Sequence, residues 1–153
     1  MAARNEEKLA PRHVSSIMTR HVDAVGPDAP LSEVRDLFAQ RALHHVLVVA
    51  GERLVGLIAL SDLVRAGMDP TQRAEPGLSQ DNLLARHVMQ ERSTVVTASE
   101  DMTVGQAAAT LSDGSFHALP IVDANDRLLG IVTSTDLIRY LAELEAPMES
   151  RAR

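Results

Sequence analysis

Residues 130–140 read GIVTSTDLIRY, and residues 56–66 repeat the same pattern as GLIALSDLVRA. In both stretches a run of apolar, strand-forming residues meets hydroxyl side chains and a carboxylate, after which apolar residues return at helical spacing. The shared order is a glycine, two apolar residues, a small residue, two further positions and an aspartate, which falls at Asp62 and Asp136. This pattern predicts a buried strand that runs directly into a helix, and it predicts that arrangement twice in one chain.

The match between the two copies extends over most of the chain. The offset grows from 71 residues at Met18 to 73 at His44 and 74 at Gly56. We place the two changes of length in predicted loops, at residues 113–115 and 123–126. Identities inside elements, with insertions confined to turns, indicate an internal duplication.

Each copy is predicted to fold as β-α-β-β-α. The first copy has a strand near 24–25, a helix over 31–42, strands over 45–49 and 54–58, and a helix over 61–66. The second has a strand near 95–96, a helix over 102–111, strands over 118–122 and 128–132, and a helix over 135–144. Met102, Ala109 and Leu111 are predicted to face inward. Because glycine in a helix interior costs about 1 kcal/mol against alanine, Gly105 predicts close packing at its position.

The predicted fold class is α/β (α+β), with two β-α-β-β-α repeats packed together with pseudo-two-fold symmetry, since one repeat alone buries little surface. The predicted organisation is a tail over 1–12, a first repeat over 13–67, a polar linker over 68–82, a second repeat over 83–145 and a tail over 146–153.

Composition excludes several classes of function. The 153 residues include no cysteine, which excludes disulfides, thiolate metal sites and a cysteine nucleophile. A net charge of −6 argues against nucleic-acid binding. The absence of cysteine also suits the cytosol, and no apolar stretch approaches the ~20 residues of a membrane span, so we expect a cytoplasmic protein. The histidine spacing fits no metal site, and no nucleophile–base pair or phosphate loop points to an enzyme, so we expect no catalytic residues.

The predicted helix starts carry two interpretations. A hydroxyl residue and an aspartate at the first turn cap free N–H groups and suit the helix dipole. The same groups also attract phosphate, while the carboxylate of Asp136 can accept hydrogen bonds from both hydroxyls of a ribose. Taken alone, the motif favours the capping role, because caps are common.

Taken together, the motifs resemble a tandem pair of CBS domains. Each copy opens with an apolar residue, methionine and threonine or glutamine, at 17–19 and 88–90, and closes with the glycine-to-aspartate motif. Residues 119–123, LPIVD, match the family's strand motif. The resemblance implies a regulatory module that forms homodimers, requires no cofactor and binds adenosine compounds (AMP, ADP, ATP or S-adenosylmethionine) between its repeats. It also implies an effector protein, which the sequence does not identify.

The resemblance further implies two ligand clefts. The main cleft would be formed by Thr133, Thr135 and Asp136 with Val22, Asp23, Ala24, His45 and Val46. The second would be formed by Ser61 and Asp62 with Thr94, Val95, His117, Ala118 and Leu119. Ala59 stands where the family has its first hydroxyl. Losing one hydrogen bond to a charged group costs ~1.5–3 kcal/mol, so we expect the second cleft to be weaker, empty or selective for something else.

Two further pairs of residues have alternative roles. His44 and His117 precede the second strand of each repeat, where they could face phosphate or serve as partly buried structural residues. Arg65 and Arg139 follow each aspartate by one helical turn and are expected to pair with carboxylates of their own helix rather than with ligand. The alternative functions are a dimerisation and interaction scaffold without a ligand and, less favoured, a nucleotide hydrolase.

Overall fold

The computed structural model describes residues 12–70 and 82–146, so the predicted tails, apart from Arg12 and Ala146, and most of the predicted linker lie outside the described residues. The strands are β1 (Ala24–Val25), β2 (His45–Ala50), β3 (Arg53–Ala59), β4 (Gln90–Glu91), β5 (Ala118–Val122) and β6 (Leu128–Thr133). The helices are α1 (Leu31–Arg41), α2 (Leu60–Arg65), α3 (Ala85–Val88), α4 (Val104–Leu111) and α5 (Ser134–Glu145), with 3-10 turns at Val14–Ser16 and Arg92–Thr94. The mixed α/β class is confirmed.

The described chain divides into two compact units. The first-repeat unit contains residues 21–70, 82–96 and 124–128. The second-repeat unit contains residues 12–20, 97–123 and 129–146. The segment that opens each repeat in sequence therefore belongs to the unit built on the other repeat.

The first-repeat unit is built on a four-stranded sheet in the order β1-β2-β3-β4. β1 runs parallel to β2, and β3 is antiparallel to both β2 and β4. Three consecutive residues of β2 are buried, so this apolar strand is covered on both faces of the sheet. Helix α1 places Leu31, Val34 and Phe38 against this core, at helical spacing.

The second-repeat unit has the same arrangement, but single bridging residues take the place of the two edge strands. β5 pairs with β6, and all five residues of β5 are buried. Ala98 forms a parallel bridge to Ile121, as β1 does to β2, and Thr19 forms an antiparallel bridge to Ile131, as β4 does to β3. The duplication seen in the sequence is therefore also a duplication of strand pairing.

Two buried glycines allow the segments that open the repeats, which we call the exchanged segments, to approach the strands of the other repeat's unit. A Cβ atom on Gly130 would lie 2.7 Å from the main-chain oxygen of Thr19. A Cβ atom on its repeat equivalent Gly56 would lie 2.8 Å from the main-chain oxygen of Gln90. Because real Cβ contacts are not this short, each motif needs glycine at its first position.

One predicted strand is wrong. Residues 95–96 form no strand; they follow a 3-10 turn, and Val96 is 48% exposed. The residue that pairs in the manner of Val25 is Ala98, at an offset of 73. The first change of length therefore lies at Arg92–Thr94 and not at 113–115. β-branched composition favoured Val95 and Val96, but the pairing register selected a later residue.

The prediction for helix α4 needs two corrections. Its buried residues are Val104, Ala107 and Leu111, which confirms Leu111, whereas Ala109 is exposed. Met102 precedes the helix but packs against the core, as predicted. The helix begins after Thr103, whose hydroxyl caps it, and its buried residues lie at spacings of three and four on one face. Gly105 lies on the exposed face, and a Cβ atom there would come no nearer than 4.0 Å to Thr103 Oγ1. Close packing is therefore not the reason for glycine at that position.

Candidate ligand-binding sites at two helix starts

The start of helix α5 is built around Thr133 and Asp136. Asp136 Oδ2 accepts hydrogen bonds from the main-chain nitrogen of Thr133 at 2.8 Å and from its hydroxyl at 3.1 Å. The Thr133 hydroxyl oxygen in turn accepts from the Asp136 main-chain nitrogen at 3.4 Å. This reciprocal capping box confirms the capping role predicted for the motif.

The second oxygen of Asp136 holds two further donors. Thr19 Oγ1 donates to Oδ1 at 3.1 Å, and Arg139 Nη1 donates to it at 3.4 Å. The Asp136 residue is only 6% exposed, whereas its donors Thr19 and Arg139 are both exposed to solvent. A carboxylate has about four acceptor positions, and Asp136 uses them all.

The start of helix α2 is similar but has Ala59 in place of the capping threonine. Asp62 is 7% exposed, and its Oδ2 accepts from the main-chain nitrogen of Ala59 at 2.8 Å and from Gln90 Nε2 at 3.0 Å. Its Oδ1 accepts from Arg65 Nη1 at 3.5 Å. Ala59 has no side-chain acceptor for the helix N–H groups, so only half of a capping box forms.

Each site joins a buried carboxylate, a helix N-terminus and an exposed guanidinium. The side chains of Arg65 and Arg139 are 78% and 63% exposed, respectively. The prediction that they pair with a carboxylate of their own helix is confirmed, and that carboxylate is the candidate ligand residue itself. The arginines thus cover one side of Asp62 and Asp136 while remaining free to turn into solvent.

The other predicted site residues differ in accessibility. Those exposed are Ala24, Ser61, Thr94, His117 and Thr135; those half-buried are Val22, Asp23, His45 and Val95; those buried are Val46, Ala118 and Leu119. The three buried side chains pack inward, so a ligand could reach only their main chain. The carboxylate of Asp23 already accepts from Arg41 Nη1 at 2.9 Å. These residues remain predicted contacts.

The two histidines before β2 and β5 are exposed, so the interpretation as partly buried structural residues is wrong. The main-chain oxygen of His44 accepts from the first nitrogen of helix α2, at Leu60, at 3.1 Å. That of His117 accepts from the first nitrogen of helix α5, at Ser134, at 3.2 Å. Each histidine therefore lies beside the helix start of its own repeat.

Sequence reasoning missed two residues of these sites, Thr19 and Gln90. Each is the third residue of a segment that opens a repeat, and each donates to the aspartate of the other repeat. The signal was present in the motif at 17–19 and 88–90, where a polar residue able to donate follows methionine. Its target could not be read from the sequence, because the segments are exchanged between the units.

The family model for the CBS domain matches residues 14–69 and 85–143, most of the described chain and both repeats. The chain belongs to the CBS-domain family. Its two matched ranges form a tandem CBS pair. Within residues 12–70 and 82–146, no helix is long and apolar enough to cross a membrane, and no group of three or more His, Asp or Glu side chains could hold a metal ion.

The CBS pair is similar to proteins from several sources. It is 28% identical over 141 residues to the uncharacterized protein MK0525 of Methanopyrus kandleri, spanning 92% of this chain and 68% of that one. Among solved structures it resembles CBSX2 in complex with AMP, at a TM-score of 0.75 and 20% identity, spanning 88% of this chain and 99% of that one. It also resembles the CBS domain pair of MJ0100 in complex with 5′-methylthioadenosine and S-adenosyl-L-methionine, at a TM-score of 0.70, 24% identity and the same coverage.

Many other curated relatives are longer than the chain. It spans 22% and 26% of two inosine-5′-monophosphate dehydrogenases and less than half of five more relatives.

Proposed function

We propose that the chain is a non-catalytic regulatory module that binds an adenosine compound and passes the binding event to a partner protein. The observation that carries this proposal is the start of helix α5, where buried Asp136 and the hydroxyl of Thr133 lie at the helix N-terminus. AMP, ADP, ATP and S-adenosylmethionine are the candidate ligands. The cytoplasmic location and the effector protein belong to the same proposal.

The chemistry of the site suits such a ligand. A carboxylate accepts from both hydroxyls of a ribose, while a helix N-terminus and a threonine hydroxyl donate to phosphate oxygens. The complexes named for CBSX2 and MJ0100 support this class, because AMP, 5′-methylthioadenosine and S-adenosylmethionine share the adenosine unit. Contacts from the other repeat, such as those predicted for Val22 and His45, remain part of the proposal.

A ligand-free dimerisation scaffold is the second candidate. Ile138 and Leu141 on helix α5 are 67% and 58% exposed, and the repeat equivalent Val64 on helix α2 is 49% exposed. An apolar helix stripe of this kind fits a homodimer interface. On this interpretation Asp62 and Asp136 serve only as caps.

A thermal-shift panel separates the two functions. AMP, ADP, ATP and S-adenosylmethionine are added to the wild-type chain and to the variants Asp136→Asn and Asp62→Asn. A true ligand at 100 times its Kd adds ~2.7 kcal/mol of stability, which raises Tm by ~5–11 °C in a chain of this size. We expect Asp136→Asn to lose most of the shift and Asp62→Asn to lose less, because Ala59 already weakens the second site.

The same panel defines failure. If none of the four compounds moves the Tm of the wild-type chain, the ligand-sensing function is wrong and the scaffold is favoured. Sedimentation of the wild-type chain and of Ile138→Glu then tests the scaffold, which predicts a dimer that the substitution dissociates.

A further inference from the structure

The carboxylate of Asp136 has no acceptor position left for a ligand. Its four positions hold the nitrogen and hydroxyl of Thr133, the hydroxyl of Thr19 and the guanidinium of Arg139. A ribose diol brings two donors, so binding it requires two of the present donors to leave.

The four donors are not equally able to leave. The main-chain nitrogen of Thr133 is fixed by the start of helix α5, and its bond at 2.8 Å is the shortest of the set. Arg139 is largely exposed and can turn into water. The hydroxyl of Thr133 both donates to Oδ2 and accepts from the Asp136 nitrogen, so it is tied to the helix start. The donor that remains is the hydroxyl of Thr19 on Oδ1, and Thr19 belongs in sequence to the other repeat.

We propose that the hydrogen bond from Thr19 to Asp136 is a ligand-sensitive link that couples occupancy of this site to the segment of residues 12–20. The link rests on the proposed function. When a diol takes Oδ1, the Thr19 hydroxyl loses its acceptor and the pairing of the segment with β6 weakens. The segment of residues 12–20 is then the element that reports ligand binding.

Other contacts of residues 12–20 confine the loosening to the region around Thr19. The main-chain nitrogen and oxygen of Thr19 pair with those of Ile131, both at 2.9 Å. Upstream, Val14 is fully buried, and its nitrogen donates to the main-chain oxygen of Met102 at 2.8 Å. Loss of the Thr19 side-chain bond therefore loosens the Thr19–Ile131 pair, while Val14 keeps the segment attached.

The link is tested by amide hydrogen exchange of Thr19 and Ile131, measured by NMR with and without saturating AMP, or S-adenosylmethionine where AMP does not bind. We expect ligand to speed exchange of both amides about tenfold or more in the wild-type chain, because one bond to a charged group is lost. In Thr19→Val, which keeps the shape but not the hydroxyl, exchange is already fast and ligand adds nothing. In titration calorimetry, Thr19→Val should bind the ligand about tenfold more tightly than the wild-type chain, because no hydroxyl of residue 19 has to be displaced from Asp136.

Two variants serve as controls. Thr19→Ser keeps the hydroxyl and should behave as the wild-type chain. Thr110→Val removes a hydroxyl of the same unit that bonds only the main-chain oxygen of Gln106, so it should change neither exchange nor affinity.

The outcomes distinguish the link from the proposed function. Ligand binding with unchanged exchange at Thr19 and Ile131, or weaker binding by Thr19→Val, overturns the link and leaves the function standing. If neither AMP nor S-adenosylmethionine binds the wild-type chain, the proposed function fails and the link fails with it.

Discussion

Replacing Gly130 by alanine tests whether the close approach of Thr19 to β6 requires glycine at the first position of the strand-to-helix motif. The new Cβ would lie 2.7 Å from the main-chain oxygen of Thr19 and 3.1 Å from Met18 Sδ. The thioether can move, but the oxygen accepts from Ile131 at 2.9 Å and cannot retreat without breaking that bond. Overpacking of this kind costs ~1–3 kcal/mol, so the free energy of unfolding should fall by that amount.

The same substitution at Gly105 should have the opposite sign. Gly105 lies in helix α4 of the same unit, and an added Cβ would meet nothing nearer than Thr103 Oγ1 at 4.0 Å. Where the backbone suits alanine, replacing glycine by alanine stabilises a protein by ~0.4–1 kcal/mol, mainly because it restricts the unfolded chain. Gly105→Ala should therefore stabilise the protein.

The two variants are compared by thermal and urea denaturation followed by circular dichroism. At ~2–4 °C per kcal/mol for a chain of this length, Gly130→Ala should lower Tm by ~2–12 °C and Gly105→Ala should raise it by ~1–4 °C. Shifts of the same sign, or a Gly130→Ala variant as stable as the wild-type chain, would refute the close approach of Thr19 to β6.

Two other substitutions test local interactions. The hydrogen bond from Arg92 holds the pKa of Asp126 below its usual value of 3.8, so this stabilisation is present above that pH and disappears as the pH falls through the lowered pKa. Asp126→Asn should thus have a lower Tm than the wild-type chain at pH 7 and the same Tm in strong acid. A difference in Tm that does not change with pH in thermal scans would contradict this. Thr103→Ala removes the capping box with Gln106 and should lower the free energy of unfolding in urea by ~1 kcal/mol. Ser112→Ala removes a hydroxyl at the other end of the same helix and should cost little. Equal losses in the two variants would show that the cap is not responsible.

The repeat and most of its elements were predictable because each rests on a local pattern. Helix α1 has its apolar residues at helical spacing, and β2, β3, β5 and β6 are apolar runs between turn residues. The prediction of a strand at 95–96 was wrong because the position of a short edge strand depends on main-chain pairing, which the side-chain composition does not determine. Ala109 was predicted to face inward, but the buried face of helix α4 is set by Val104, Ala107 and Leu111 at spacings of three and four, and Ala109 lies outside it.

The candidate sites were predictable only in part. The aspartates and the missing hydroxyl at Ala59 follow from comparing the two copies. The donors Thr19 and Gln90 were not found, because their contact with Asp136 and Asp62 depends on which unit each opening segment joins. A helix-start motif predicts the groups that it carries itself, and only the fold determines what approaches from elsewhere in the chain.

The two aspartate sites differ in a way that predicts ligand preference. Asp62 holds three donors where Asp136 holds four, so one acceptor position remains for a ribose hydroxyl, but Ala59 offers no hydroxyl to a phosphate. The first-repeat site should therefore discriminate little between adenosine and AMP. In an Asp136→Asn background, Ala59→Thr should raise the ratio of the adenosine Kd to the AMP Kd about tenfold or more, because a hydrogen bond to a charged group is gained. Ala59→Val, which adds the same bulk without a donor, should leave the ratio unchanged in calorimetric titrations; an equal rise in both variants would mean that packing at Ala59, rather than its missing hydroxyl, sets the preference.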